Sequence, residues 1–127
     1  MDFSAAEKIL NYTFKDKELL RRALTLSSYD FKKCNQSLEF FGDAIIEFIV
    51  SEKVFALDKD EGDLTNLRKS VVSDKSLGEV VRRLGLDKFL IKGEGDNNNK
   101  KAVPSAYEAV TAAIYLDGGL EAAKKFV

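Results

Sequence analysis

The stretch SLEFFGDAIIEFIVSEKVFAL, residues 37–57, decides the fold of this chain. Apolar residues cover almost the whole circumference of the helix that it would form, which is typical of a central and largely buried helix. We therefore predict one long helix from Ser37 to Leu57 at the centre of the molecule. Its apolar residues are Leu38, Phe40, Phe41, Ala44, Ile45, Ile46, Phe48, Ile49, Val50, Val54 and Phe55.

Helical periodicity also dominates the flanking sequence, with glycines and the single proline marking the breaks. The predicted helix starts are Ser4 with Glu7 as a capping box, Asp16, Asp63, Ser76 with Glu79 as a second capping box, and Pro104. The predicted ends are Gly85 and 117–119, and a polar loop covers 92–101. No strand-like alternation of any length occurs. We expect one all-α domain, residues 1–127, whose last helix, Leu120–Val127, is cut short.

Composition excludes several kinds of function. Twenty basic residues nearly balance 21 acidic ones, so any nucleic-acid surface must be a local patch. With no histidine and one cysteine, the chain offers no zinc cluster, no intrachain disulfide and no histidine base; Cys34 is interpreted as inert. No apolar run approaches the ~20 residues that span a membrane, and no signal peptide is visible. We expect an intracellular protein without a membrane partner, in the cytoplasm, or in the nucleus if the source is a eukaryote.

Three acidic residues interrupt the central helix at intervals of four: Glu39, Asp43 and Glu47. Residues at this spacing stack along one face, where like charges repel by roughly 0.2–0.5 kcal/mol per pair on an exposed helix. Burial raises that cost, and a cation would offset it. Gly42 costs about 1 kcal/mol relative to alanine inside a helix. Its presence indicates a close approach of another backbone or of a ligand.

A second isolated carboxylate lies in the helix predicted after Pro104. Between Ala102 and Leu116 the only charged residue is Glu108, set among four alanines that permit close helix packing. Such a carboxylate needs a basic partner, or a metal shared with the acidic residues of the central helix. Hard oxygen ligands without histidine or paired cysteine favour Mg²⁺ or Mn²⁺ over zinc.

Plainer interpretations of Glu39 and Asp43 remain open at this point. Ion pairs perturb carboxylates more often than metals do. A solvated polar stripe, or a set of salt bridges, would therefore explain both residues. The candidate basic partners are Arg21, Arg22 and Lys53.

The other charged residues have similar alternatives. Glu108 could form an ion pair with a residue such as Arg68. Glu47 is interpreted as an ordinary exposed residue. The lysine pairs at 32–33 and 100–101 are typical of solvated loops, although beside a functional site they could contact phosphates.

Residues 35–44, Asn-Gln-Ser-Leu-Glu-Phe-Phe-Gly-Asp-Ala, closely resemble the ribonuclease III signature, whose usual form is N-E-x-L-E-F-L-G-D-A/S. Further blocks resemble the family in the same order along the chain. They are 60–65 with Leu67-Arg68, Gly93-Glu94-Gly95, and 106–109 followed by 114–119, with Ala23-Leu24-Thr25 and Ser28-Tyr29 near the start. The resemblance covers essentially the whole chain.

The resemblance implies an all-α, homodimeric endonuclease that holds double-stranded RNA in a cleft between subunits. It implies that Glu39, Asp43 and Glu108 bind Mg²⁺, or Mn²⁺ as a substitute, with Asp43 and Glu108 as the catalytic pair. It also implies that Phe40 packs into the partner subunit. Metal-activated water would attack phosphorus, and two ions about 3.5–4 Å apart are the usual geometry. The products would carry 5′-phosphates and short 3′ overhangs.

The sequence departs from the family pattern at three positions. Ser105 stands where the family usually has an aspartate ligand, Gln36 replaces the signature's first acidic residue, and Leu26 replaces a common histidine. We expect Ser105 to bind metal weakly or through water. The short bacterial branch, Mini ribonuclease III, also lacks that carboxylate and is catalytic, and its essential pair corresponds to Asp43 and Glu108. An active enzyme with an altered metal site is therefore expected.

Two matched positions suggest substrate handling, and two alternatives to catalysis stay open. Glu61 matches a family residue near the cleft, and Gln36, which replaces an acidic residue of the signature, is the second candidate for substrate handling. The main alternative is a catalytically inactive relative that binds structured RNA or a ribonucleoprotein, which Ser105 and Gln36 favour. A helical protein–protein module is the other. Main-branch members of the family carry a double-stranded RNA-binding domain after the catalytic domain, and the resemblance here covers the catalytic domain alone.

Overall fold

The computed structural model describes residues 2–96 and 100–127, and the described chain is helical. The helices are α1 (Ser4–Leu10), α2 (Lys17–Leu24), α3 (Gln36–Phe55), α4 (Glu61–Val71), α5 (Asp74–Leu84) and α6 (Ala102–Phe126), with a 3₁₀ turn, Leu86–Phe89, after α5. In this described part the only strand-type pairing is an isolated parallel bridge between Thr25 and Ile91. The predicted all-α class is confirmed. Part of the predicted loop at 92–101, residues 97–99, lies outside the described residues.

The core forms where α3 and α6 pack against each other, the most extensive helix contact in the molecule. α2 and α5 pack on the same helix α6, while α4 packs on α3. The first turns of α6 are buried, and no part of four of its alanines is exposed: Ala106, Ala109, Ala112 and Ala113. These small side chains let three helices approach α6 closely. Along residues 2–96 and 100–127, no helix is long and apolar enough to cross a membrane.

The prediction that α3 is buried around its circumference was wrong. One face is buried, and it consists of Leu38, Gly42, Ile45, Ile46, Ile49 and Val50. The opposite face exposes large apolar side chains, including Phe40 (83% exposed), Phe48 (54%) and Phe55 (76%). Phe41, Ala44 and Phe48 border a hollow of about 240 Å³ that is closed on its other side by Tyr115 and Leu120 of α6. The sequence pattern correctly indicated a helix that is apolar on most sides. It could not show which of these apolar side chains are buried within this chain and which remain exposed.

The N-caps follow the prediction at α2 only. Asp16 accepts a hydrogen bond from the backbone N–H of Glu18, as predicted. Ser4 does not cap α1, since Phe3 precedes the helix without a side-chain cap. The expected capping partner, Glu7, instead accepts hydrogen bonds from the backbone of Phe14 and from the Lys17 ammonium. Glu7 therefore fastens α1 to the segment that leads into α2.

Three other helices start earlier than predicted. α6 begins at Ala102, two residues before the predicted start at Pro104. The cap of α4 is Asp60, whose carboxylate accepts from the N–H of Asp63. The cap of α5 is Ser73, whose hydroxyl accepts from the N–H of Ser76. In both cases two residues able to cap lie three positions apart, and the first takes the extended backbone that a cap requires. Gly85 ends α5 in the left-handed conformation, as predicted.

The predicted end at 117–119 appears as a kink inside α6. Gly119 has φ 86° and ψ −179°, and the helix resumes after it. Beside the kink, the Asp117 carboxylate accepts hydrogen bonds from the Tyr12 hydroxyl (2.6 Å) and from the backbone N–H groups of Lys15 (3.0 Å) and Asp16 (2.9 Å). Asp117 thus holds the N-terminal segment against the kinked helix.

Candidate metal centre

The contact between α3 and α6 is closest at Gly42. A Cβ on this residue would lie 2.5 Å from the carbonyl carbon of Glu108 and would overlap its oxygen. The expected close approach at Gly42 is confirmed, and the approaching group is the backbone of α6. Because Asp43 follows Gly42 directly, the contact places its carboxylate beside that of Glu108.

Asp43 and Glu108 share a hydrogen bond between their side chains. Burial, this hydrogen bond and the charge of Asp43, followed by the charges of Glu39 and Asp74, raise the pKa of Glu108 from 4.5 to about 8. Glu108 is therefore largely protonated at neutral pH, because its ionised form would be partly buried beside other negative charges. The centre has an excess of negative charge that a cation would neutralise.

Two of the basic side chains considered as partners of this centre, Arg68 and Lys53, bind elsewhere. Arg68 pairs with Glu47 (Nε–Oε2 3.3 Å), not with Glu108, and it donates to Ser51. Lys53 donates to the Val127 carbonyl. Within residues 2–96 and 100–127, no ion pair reaches Glu39, Asp43 or Glu108. The salt-bridge interpretation of these three carboxylates is therefore not supported. Glu47, by contrast, has a basic partner in Arg68.

Ser105 does not take the place of an aspartate in the described arrangement. It is buried one turn before Glu108, and its hydroxyl donates to the backbone carbonyl of Lys101 at 2.9 Å. Because the hydroxyl proton is bonded to the preceding turn of α6, only the oxygen lone pairs remain for any other contact. A serine here thus adds no negative charge to the centre.

Sequence reasoning missed Asp74, which acts on Glu108 through its charge. One turn after Asp74, Gly78 packs α5 onto α6, where a Cβ would lie 3.8 Å from Pro104. Pro104 is itself one turn before Glu108, so the helix packing brings Asp74 towards the centre. Asp74 at the start of a helix looks like an ordinary first-turn acidic residue, so no local pattern reveals its position.

The remaining predicted site residues lie around the centre. Glu39 is partly buried in the first turn of α3, and its charge acts on Glu108. Gln36 is exposed at the first residue of α3, Glu61 is exposed at the first residue of α4, and Phe40 points away from the core. In the described chain, no hydrogen bond or ion pair joins Glu61 to Asp43 or Glu108.

Asn35, the first residue of the signature, has a structural role that the sequence did not reveal. It is buried, and its side-chain amide donates to the Ala23 carbonyl at 3.1 Å. Its backbone N–H donates to the Thr25 carbonyl at 2.9 Å. Asn35 thereby fixes the start of α3 against the end of α2, which sets the position of Glu39 one turn later.

The donor chemistry fits a hard divalent cation that retains water. Mg²⁺ is commonly bound by one or two carboxylates, with waters and substrate phosphates completing its coordination. Asp43 and Glu108 would supply two carboxylates of this kind, and a cation would replace the proton of Glu108. Across residues 2–96 and 100–127, no three acidic, cysteine or histidine side chains already converge on one point. Further ligands would have to come from rotation of Glu39 or from outside the chain.

Comparisons with known proteins show the family of the chain. The family described as Ribonuclease-III-like matches residues 16–127. The chain is 40% identical to Ribonuclease 3 of Sulfurovum sp., over 98% of this chain and 59% of that protein. It is 44% identical to Ribonuclease 3 of Campylobacter fetus, over 94% of this chain and 56% of that protein. The chain thus spans somewhat more than half the length of these relatives.

Solved structures give the same result for the fold. One is the nuclease domain of ribonuclease III from Campylobacter jejuni, described as having structural flexibility in the region involved in dimer formation. It superposes with a TM-score of 0.92 at 36% identity, covering 98% of this chain and 92% of that one. A second structure of the same domain gives a TM-score of 0.89.

Proposed function

Because this chain belongs to the ribonuclease III family, we propose that it is an endoribonuclease that hydrolyses double-stranded RNA with the help of divalent metal ions. The products would have 5′-phosphates and short 3′ overhangs. The observation that supports this proposal best is the Asp43–Glu108 pair at the contact of α3 with α6. The pKa of Glu108 is raised beside Asp43, and neither residue forms an ion pair within residues 2–96 and 100–127, so the two would provide an anchor for a cation.

Asp43 and Glu108 would hold Mg²⁺, or Mn²⁺ in its place, and Glu39 would contribute from the first turn of α3. When bound, the metal would supply a water of lowered pKa and stabilise charge on the phosphate oxygens. Gly42 positions the pair, because only its missing side chain lets the two backbones touch. Ser105 would act on the metal through water, if at all, since its hydroxyl proton bonds to Lys101.

Gln36 and Glu61 would handle substrate at the margin of the centre. Both begin helices, Gln36 in α3 and Glu61 in α4, and both are exposed. Gln36 precedes Glu39 by one turn, so a nucleotide bound to the metal would pass close to its amide. An uncharged amide at this position can donate a hydrogen bond to a phosphate or a ribose hydroxyl, which a carboxylate cannot do.

The protein would work as a homodimer. The exposed face of α3 presents Phe40 and Phe48, and Phe48 lines a hollow with Tyr115 and Leu120 of α6. Exposed apolar surface of this kind marks an interface. Phe40 is 83% exposed, which is unfavourable for a large aromatic ring in a single chain. Insertion of each Phe40 into the partner subunit would bury both rings, and duplex RNA would lie between the two metal centres.

A second candidate is a relative that binds structured RNA or a ribonucleoprotein without cutting it. Its support is Ser105, which removes one carboxylate and whose hydroxyl is already bonded within α6. The two candidates differ in one outcome, since both require RNA binding but only the nuclease requires the metal.

A cleavage assay separates them. A labelled RNA duplex is incubated at low salt with Mg²⁺, Mn²⁺ or EDTA, beside single-stranded RNA of the same sequence. We expect the duplex alone to be cut, only with metal, to fragments with 5′-phosphates and short 3′ overhangs. Binding of the duplex without cleavage in either metal would support the non-catalytic candidate.

A further inference from the structure

A concave surface of about 470 Å³ lies between α2 and the loop that leads to α3. Its cationic lining consists of Arg21, Arg22 and Lys33, and the exposed ring of Tyr29 stands beside them. Glu18 and Asp30 line it as well. Neither the metal centre nor the apolar face of α3 includes these residues.

The surface is tied directly to the first turn of α3. The Arg22 guanidinium donates from Nε to the Cys34 carbonyl (3.0 Å) and from Nη2 to the Ser37 hydroxyl (3.1 Å). Ser37 lies two residues before Glu39, the candidate ligand of the same helix. The concave surface therefore lies at the same end of α3 as Glu39.

The three cationic residues of this surface outnumber its two acidic residues, Glu18 and Asp30. In the part of the chain that the structure describes, Arg21, Arg22 and Lys33 form no ion pair with any carboxylate. Asp30 is turned towards its own loop, where one carboxylate oxygen accepts from the backbone N–H groups of Lys32 and Lys33, both at 3.1 Å. The lysine side chains themselves remain available.

An RNA substrate requires positively charged side chains outside the acidic centre. Glu39, Asp43, Asp74 and Glu108 concentrate negative charge where the scissile phosphate must lie, and the whole chain carries a net charge of −1. RNA affinity comes largely from basic side chains that replace the counterions of the backbone phosphates. Cations beside the centre would hold the strand while the metal neutralises the centre itself.

We infer that the surface formed by Arg21, Arg22 and Lys33 binds backbone phosphates of the duplex RNA a few nucleotides from the bond that is cut. This inference rests on the proposed function and adds the path of the substrate on one side of the metal centre. Lys32 extends the cationic surface along the same loop. Arg22 has a second role, because its guanidinium also holds the start of α3.

The test is duplex binding by the double variant Arg21→Gln, Lys33→Gln. Arg22 is left intact because of its hydrogen bonds to Cys34 and Ser37. The matched control removes two exposed cations elsewhere, Lys8→Gln with Lys125→Gln, and circular dichroism checks the fold of both. Binding of a labelled RNA duplex is followed by fluorescence anisotropy in EDTA between about 50 and 200 mM salt, the range over which phosphate contacts dominate affinity.

We expect the dependence of log K on log salt to flatten by about one unit for each lost contact, with Kd about ten-fold weaker near physiological salt. The control pair should bind like the wild type. In the cleavage assay with Mg²⁺, the double variant should raise KM and keep kcat. Equal Kd and equal salt dependence in both pairs would overturn the inference while leaving the proposed function intact. A wild-type chain that neither binds nor cuts duplex RNA would instead overturn the proposed function, and this inference with it.

Discussion

The backbone carbonyl of Glu108 lies against the α-carbon of Gly42, and this contact leaves no room for a side chain at position 42. Gly42→Ala must push α6 away, because the obstructing atoms belong to the backbone. We expect the free energy of unfolding to fall by about 2–3 kcal/mol, the usual cost of overpacking, as measured by urea denaturation. Cleavage should fall as well, since the same contact aligns Asp43 with Glu108.

Gly62→Ala is the matched control for that substitution. Gly62 also lies in a helix, but a Cβ there would be 3.4 Å from a side-chain oxygen of Asp60, an ordinary contact. The helix propensity of alanine should then raise stability by about 0.5–1 kcal/mol. If both glycine variants shifted stability alike, the contact between Gly42 and Glu108 would not limit the packing of α3 on α6.

The raised pKa of Glu108 predicts a pH dependence of stability. The pKa of Glu108 is about 8 in the folded chain, against an ordinary value of 4.5. The folded state therefore binds this proton more tightly than the unfolded state does. The stabilisation is complete below the lower value, declines as pH rises, and is lost once pH passes the higher value.

Glu108→Gln cannot ionise and should lack this decline. In EDTA, we expect its Tm to match the wild type near pH 4.5 and to exceed it by at least about 5 °C above pH 8. One pKa unit corresponds to about 1.4 kcal/mol, and the partial exposure of Glu108 reduces the effect. Mg²⁺ should raise the Tm of the wild type and not that of the variant. Parallel pH profiles for the two proteins would show that Glu108 ionises without penalty.

Ser105→Asp restores a carboxylate where the resemblance expects one. We expect the Mg²⁺ concentration for half-maximal cleavage to fall by about ten-fold, which equals about 1.4 kcal/mol of metal affinity. In EDTA the same variant should be less stable, because it adds charge beside the Asp43–Glu108 pair. Ser105→Ala is the control, and it should lose only the hydrogen bond to Lys101 while keeping the metal requirement of the wild type. An unchanged metal requirement in Ser105→Asp would place this residue outside the metal centre.

The exposed ring of Phe40 predicts the oligomeric state. Phe40→Asp should convert a dimer to a monomer in sedimentation velocity, because a carboxylate cannot enter an apolar interface without a partner. Phe31→Asp is the matched control, since Phe31 is exposed to a similar extent (75% against 83%) but lies in the loop before α3. A wild-type chain that sediments as a monomer would contradict the proposed dimer. So would a Phe40→Asp variant that remains dimeric.

Local patterns predicted the helical fold and several of its details. Periodic apolar residues, the cap at Asp16 and the glycine stop at Gly85 depend on nearby sequence only, and the structure has them where expected. Gly42 was informative because glycine inside a helix is costly and needs a reason. The proposed roles of Asp43 and Glu108 rested on the family resemblance, since spacing alone left salt bridges open.

Features that depend on distant parts of the chain were not predictable. Asp74 acts on Glu108 only because Gly78 packs against Pro104, and this pairing has no local pattern. The exposed face of α3 could not be separated from its buried face, because both are apolar. Where two residues able to cap stand three apart, as at Ser73 and Ser76, spacing does not show which one lies outside the helix.

The roles proposed for Asp43 and Glu108 are tested most directly by the single-turnover cleavage rate of duplex RNA, measured for four proteins. They are the wild type, Asp43→Asn, Glu108→Gln and, as the matched control, Glu47→Gln, which lies one turn after Asp43 and pairs with Arg68. We expect Mg²⁺-dependent cleavage by the wild type and by the Glu47 variant. The cleavage rate of the other two variants should be lower by at least about 100-fold, as for removal of an essential electrostatic group. Folded, duplex-binding protein that cuts nothing with either metal, or cleavage that survives in Asp43→Asn and Glu108→Gln, would contradict the proposed roles.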